Sequence, residues 1–174
     1  MYIAFIHVRS HGGADDTLRS VAATLRVRGH RLAGVLPEPC TSPDRHACDM
    51  DLIDLASGAR LNISQKLGRH STGCRLDGAA IEAVAMVVAD GLATTALVPD
   101  LMILNRFGKQ EAKGHGFQPV IVSALERGVP VLVGVNDLNR SAFETFAAGL
   151  AVELSDCPSA VLDWIRPHLR RHAA

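Results

Sequence analysis

The chain has 174 residues, 48% of them hydrophobic and 21% charged, which excludes a disordered chain and leaves enough length for a buried core. Eighteen Lys and Arg balance eighteen Asp and Glu. That balance argues against a partner coated through excess positive charge, so no nucleic-acid role is expected.

Tyr2–Val8 (YIAFIHV) is a short, almost wholly apolar run, the pattern of a strand buried on both faces. The loop RSHGGADD follows. Leu18, Val21, Ala22 and Leu25 then repeat at helical spacing, and Gly29 stops that helix. Arg31–Leu36 reads as the next strand. Strand, glycine loop, helix and strand in this order form the unit of a parallel α/β sheet. Pro37–Cys48 is a proline-rich loop. Met50–Leu55 and Ala59–Ser64 flank Ala56-Ser57-Gly58, so a β-hairpin excursion is expected over about 49–66.

Lys66–Arg75 is polar and contains glycines. Asp77 stands at a helix N-cap position, ahead of the stripe Ile81, Val84, Ala85 and Val88. Leu101–Leu104 reads as a central strand and Asn105–Gly116 as a long polar loop. A helix over Pro119–Arg127, a strand at Val131–Val135 and a helix over Ser141–Ala147 follow. A strand at Leu150–Leu154 leads into a helix opened by Pro158. The closing RPHLRRHAA reads as a frayed helix end. The expected fold is α/β, a mostly parallel sheet flanked by helices, in one domain spanning 1–174.

No apolar run approaches the ~18 residues that span a bilayer. The N-terminal MYIAFIHVRSHGG lacks the order of a signal peptide. A cytoplasmic location without membrane insertion is expected, with Cys40, Cys48, Cys74 and Cys157 as free thiols. Cys40, His46 and Cys48 do not have the spacing of a zinc site, and no metal is expected there.

Ligands of parallel α/β folds bind beyond the carboxyl ends of the strands, which places Arg9–Asp16, Asn105–Gly116 and Asn136–Arg140 on one candidate rim, with Lys66–Arg75 able to fold over it; three of these four segments carry chemistry suited to a ligand. In the first, Arg9-Ser10-His11-Gly12-Gly13-Ala14-Asp15-Asp16 occupies the place of a phosphate-cradling loop. Against G-x-x-x-x-G-K-[ST], the lysine slot holds Asp15 and the magnesium-binding slot Asp16. Two carboxylates there repel a triphosphate. At about 4 Å, one such pair costs on the order of 4 kcal/mol at an effective dielectric of 20. The plainer reading has Asp15 and Asp16 capping the helix. The sharper one has Arg9, Ser10, His11 and the backbone of Gly12 and Gly13 holding a smaller anion.

In the second segment, Asn105 stands at a strand end where a nucleotide hydrolase keeps a magnesium-binding Asp, and Arg106 and Lys109 add donors for an anion. Lys109 and Glu111 form a surface ion pair on the plainer view. In the third, Arg69, His70, Ser71, Thr72, Cys74 and Arg75 place cations, hydroxyls and a thiol in a glycine-containing stretch suited to an anion nest, or to a plain loop before a capped helix.

CRLD at Cys74–Asp77, LNRFGKQEAKG at Leu104–Gly114 and SGARLNISQKLG at Ser57–Gly68 resemble a bacterial family of unassigned function. That family is linked to molybdate-transport and molybdenum-metabolism genes. It resembles in turn the thermophilic-type P-loop nucleoside triphosphatases, in which a full P-loop follows strand 1 and a later strand ends in an acidic pair before I-G-K-M-E. Here Gly108, Lys109 and Glu111 match, while Asn105 and Arg106 replace the acidic pair.

The resemblance implies a degenerate P-loop fold that binds an oxyanion, molybdate or tungstate, among molybdenum-metabolism proteins and without hydrolysing nucleotides. No cofactor beyond that anion is expected. A divergent nucleoside triphosphatase is the alternative, with Lys109 moved into the missing lysine's role and Glu111 orienting water. A non-catalytic interaction module is the third reading.

Overall fold

The computed structural model describes residues 2–9, 14–38, 51–63, 77–94 and 97–169. In chain order the elements are β1 (Ile3–Val8), α1 (Asp15–Val27), β2 (Leu32–Pro37), β3 (Asp51–Asp54), β4 (Arg60–Asn62), α2 (Gly78–Thr94), β5 (Leu101–Phe107), α3 (Gln118–Glu126), β6 (Val131–Asn136), α4 (Asp137–Ala147), β7 (Ala151–Leu154) and α5 (Pro158–Ile165). A 3₁₀ turn at Glu111–Lys113 precedes α3, and another at Arg166–His168 follows α5.

The seven strands form one sheet in the order β4-β3-β2-β5-β6-β1-β7. β2, β5, β6, β1 and β7 pair in parallel, so their carboxyl ends share one edge. The expected hairpin is β3 and β4. It joins the sheet antiparallel to β2, pairing Val35 with Asp54 and Pro37 with Leu52. Asp54 holds its turn by accepting from the Ser57 hydroxyl and from the backbone N–H of Ala56 and Ser57.

Side-chain alternation divides the core into two layers, because successive strand residues point to opposite faces. Ala4, Ile6, Ile103 and Leu132 pack against Leu18, Val21 and Leu25 of α1 and Val161 and Ile165 of α5. Phe5, Leu104, Val131 and Val133 pack on the other face against α2, α3 and α4. This is why the central runs are apolar at every position.

β5 runs to Phe107, three residues beyond the expected strand, so Asn105 and Arg106 belong to the strand rather than to the loop. Leu104 pairs with Val133 and Phe107 with Val135, so two residues of β5 face the single residue Gly134 of β6. This is a β-bulge. It returns Phe107 to the same core layer as Leu104, against Phe143 and Phe146 at 5.3 and 5.6 Å between ring centroids. α4 begins at Asp137, four residues earlier than its periodicity suggests. Asn136 caps it, accepting from the Asn139 N–H at 3.1 Å, so Asn136–Arg140 is a cap and first turn rather than a rim loop. Asp77 does cap α2, accepting from the Ala79 N–H at 2.9 Å. Arg166–His168 of the closing segment is an ordered turn, with His168 stacked on Tyr2 at 3.8 Å.

The bulge requires glycine at 134. A Cβ there would lie 2.2 Å from the Asn105 carbonyl oxygen, a backbone atom that cannot step aside alone. Gly134→Ala is expected to destabilise the protein by about 3 kcal/mol, at the upper end of overpacking costs. Urea unfolding of the purified variant measures it.

Candidate functional site

The carboxyl ends of β1, β5 and β6 and the start of α1 build the site. β6 lies between β1 and β5. The bulge turns Asn105 and Arg106 out of the regular alternation at the end of β5, and both are half-buried. Across β6, α1 opens with Asp15 and Asp16 in its first turn. The residue before it, Ala14, is buried and holds a left-handed φ of 68°, a conformation that favours glycine and costs roughly 1 kcal/mol or more in other residues. The N-cap side chain makes no capping bond. Asp15 and Asp16 therefore complement the helix dipole without capping the helix, which corrects the capping expectation. Asp16 is exposed and pairs with Arg19 at 2.7 Å.

Asp15 points inward. Its Oδ1 is buried and has no hydrogen-bond partner among the described residues, and the same holds for Nε of Arg106. Burial raises the pKa of the Asp15 carboxyl above its ordinary value. The nearby Arg106 guanidinium and then Arg19 pull it down, and Asp16 adds a smaller upward push. The acid in the lysine slot and the cation at the end of β5 thus act on each other across the sheet edge.

Arg9 leaves β1 exposed, and Lys109 is exposed on the loop after β5. Glu111 is different. It is 5% exposed, and its carboxylate accepts from the Gly108 N–H at 2.8 Å and the Phe117 N–H at 3.0 Å. It closes the loop from beneath. It is not a surface partner of Lys109, because its charge is spent on the loop's own backbone. Glu82 of α2 ties the same loop, accepting from Gly116 N–H at 2.6 Å.

Ser10, His11, Gly12 and Gly13, and Arg69, His70, Ser71, Thr72, Cys74 and Arg75, lie outside the described residues, as do Cys40, His46 and Cys48. Among the described residues no cluster of three His, Cys, Asp or Glu is placed to hold a metal ion. No helix there is long and apolar enough to cross a membrane.

Two groups beside the site had no signal in the sequence. His7, the one polar residue of β1, meets Asp137 at 2.7 Å through Nε2. Arg140 clamps both oxygens of Glu153, at 2.7 and 3.3 Å, and also pairs with Glu144 at 2.8 Å. Hydrogen bonding from Arg140 holds the Glu153 carboxyl below its ordinary pKa, against a small desolvation penalty. The first joins elements distant in sequence, and the second ties α4 to β7, the strand that follows it. A cavity of about 290 Å³ opens at the opposite, amino-terminal edge, lined by Arg26, His30, Arg31, Leu55, Val87 and Leu97 among others. It is not part of the strand-end site, and Arg26 there is engaged by the Leu55 carbonyl at 2.5 Å.

The model of the family described as "Protein of unknown function (DUF2478)" matches residues 3–164. A molybdenum import ATP-binding protein, ModC 2 of Bradyrhizobium diazoefficiens, is 30% identical over 165 residues, which are 94% of this chain and 18% of that protein. The chain thus spans about a fifth of the length of the curated relative it matches. The solution structure of a human cancer-related nucleoside triphosphatase superposes with a TM-score of 0.65 at 15% identity, over 88% of this chain and 87% of the other. The crystal structure of THEP1 from the hyperthermophile Aquifex aeolicus does so with 0.65 at 16% identity, over 97% and 99%. At these identities the likeness shows the fold alone, that of the P-loop nucleoside triphosphatases.

Two stability measurements follow from the geometry. Glu111→Gln puts an amide N–H against a backbone N–H and is expected to cost about 1.5–3 kcal/mol in urea unfolding. Asp15 has the opposite sign. Its raised pKa favours the folded state when it is protonated. That contribution is full below the ordinary value of 3.8 and is lost as pH rises through the folded value. Asp15→Asn therefore raises the melting temperature at neutral pH, and the gain shrinks as the pH is lowered toward that ordinary value.

Proposed function

The chain belongs to the DUF2478 family, and from that premise we propose that it is an oxyanion-binding protein on a P-loop nucleoside triphosphatase fold, without nucleotide hydrolysis. Its ligand is molybdate or tungstate, and its setting is the cytoplasmic handling of molybdenum. The observation that carries this reading is the opposition of Asp15 and Arg106. An acid stands where a triphosphate needs a lysine, and a cation stands where magnesium needs an acid. A nucleotide–magnesium complex meets the wrong sign at both places.

A small tetrahedral anion needs neither of the missing parts. It needs a few N–H donors and a cation. The amino-terminal end of α1 offers the partial positive charge of a helix dipole. Arg106 offers a planar fork whose Nε has no partner among the described residues. Arg9, Asn105 and Lys109 are further donors along the same edge. Ser10, His11, Gly12 and Gly13, with Arg69, His70, Ser71, Thr72, Cys74 and Arg75, complete the set on this reading.

The relative named for molybdenum import supports the choice of anion. The same relative supports a partner too, among the proteins of molybdenum metabolism. The position of Glu111 counts against the divergent triphosphatase, because a carboxylate holding two loop N–H groups is poorly placed to orient water.

Titration calorimetry with molybdate, tungstate, sulfate and phosphate tests the reading. Binding of molybdate or tungstate is expected, weakened at least about tenfold by Arg106→Gln, the scale of one charge-assisted pair. No heat with any of the four at millimolar concentration overturns it. Turnover of ATP or GTP with magnesium that disappears in Lys109→Ala favours the triphosphatase instead.

A further inference from the structure

We propose that the cavity at the amino-terminal edge of the sheet is a second binding site, for a small carboxylate with an aliphatic or aromatic body. It lies opposite the strand-end site, and the proposal does not depend on the oxyanion reading.

The end of α1, the turn into β2, the β3–β4 turn and the last turns of α2, with the chain leading into β5, wall this cavity. Its volume of about 290 Å³ stands at the lower end of small-molecule sites, roughly 300–1,000 Å³. The walls are largely aliphatic. Leu32, Leu55 and Leu92 belong to the buried core, whereas Val87 and Leu97 line the cavity and are still 48% and 55% exposed. A ligand body seated there removes that apolar surface from water.

Gly91 lines the same cavity from within α2. Its φ is not left-handed, and a Cβ at this position would meet no described atom within 4 Å. Neither backbone conformation nor packing against the described residues therefore calls for glycine, which weakens a helix interior relative to alanine. The effect of the missing side chain is to leave the cavity open.

Arg26 and Arg31 bring two permanent positive charges to the lining. The Leu55 carbonyl holds Arg26 in place by accepting from one Nη, a single donor of a planar fork. Asp100, wholly buried, accepts from the Arg31 N–H at 2.8 Å and lies 3.4 Å from Nδ1 of His30, which fixes that turn at the cavity wall. The acid of the described lining, Asp54, turns its oxygens to the Ser57 hydroxyl and to the N–H groups of Ala56 and Ser57. A carboxylate matches the guanidinium fork, and an aliphatic or aromatic body matches the walls.

Sodium benzoate and sodium hexanoate, with benzyl alcohol as the uncharged counterpart, test the proposal on the full chain through ¹H–¹⁵N spectra. Both carboxylates are expected to shift the amides of Leu32, Val88 and Leu97 saturably, with a Kd of about 1 mM or tighter. Benzyl alcohol binds at least about tenfold more weakly, the scale of one charge-assisted pair. Gly91→Leu fills the space and abolishes these shifts, and its melting temperature is no lower, because a good helix former replaces glycine. Arg26→Gln, on the exposed face of α1, weakens both carboxylates at least about tenfold and leaves benzyl alcohol unchanged. No saturable shift with either carboxylate up to about 10 mM overturns the proposal. Shifts that survive Gly91→Leu place the ligand elsewhere and overturn it as well, and so does benzyl alcohol binding as tightly as benzoate.

Discussion

Gly134 and the backbone of Asn105 approach so closely that no side chain fits between them. The arrangement of the sheet edge follows from that contact. With one residue of β6 facing two of β5, the chain regains its register at Phe107, which closes the core against Phe143 and Phe146. The extra residue is left at the rim, and Arg106 stands there, within electrostatic reach of the first turn of α1. A regular strand would have alternated Arg106 into the layer of Leu104 and Phe107 into the layer of Leu18. Both outcomes are costly, since one buries a guanidinium among aliphatic side chains and the other removes an aromatic ring from its cluster.

The bulge sets opposite charges near each other at the strand ends. Asp15 is unfavourable alone, because it is partly buried and its Oδ1 has no partner among the described residues. An arginine at the end of β5 is unfavourable alone for the same reason. Together each lowers the cost of the other. The two nucleoside triphosphatase structures share this chain's fold. In the loop after β5, the Glu111 carboxylate holds the loop closed through the Gly108 and Phe117 N–H groups.

The sheet was legible because its strands are buried on both faces and its helices on one. Apolar runs and 3.6-residue stripes therefore marked them directly, and the Ser57-Gly58 turn marked the hairpin. The errors fell where a long-range contact outweighs local pattern. Asn105 and Arg106 look like loop residues until pairing with β6 is known. Asn136–Arg140 looks polar and irregular until Asn136 is seen to cap α4. Glu111 looks like a surface acid because nothing local announces that Gly108 and Phe117 aim their N–H groups at it. The charges of Asp15 and Arg106 were visible in the sequence, but their interaction was not, since the two are far apart in the chain. The pair His7–Asp137 was invisible for the same reason. The expected anion nest over 66–75 and the glycines of the first loop lie outside the described residues.

The central claim is that an oxyanion occupies the space between the start of α1 and Arg106. A crystal grown with tungstate tests it directly, through the anomalous scattering of tungsten. The account predicts a tungsten peak at the carboxyl ends of β1 and β5, with its oxygens within hydrogen-bond distance of the Arg106 guanidinium and beside the Asp15 carboxyl. A crystal with no tungsten there, or with tungsten only at the cavity lined by Arg26, His30 and Arg31, would contradict it.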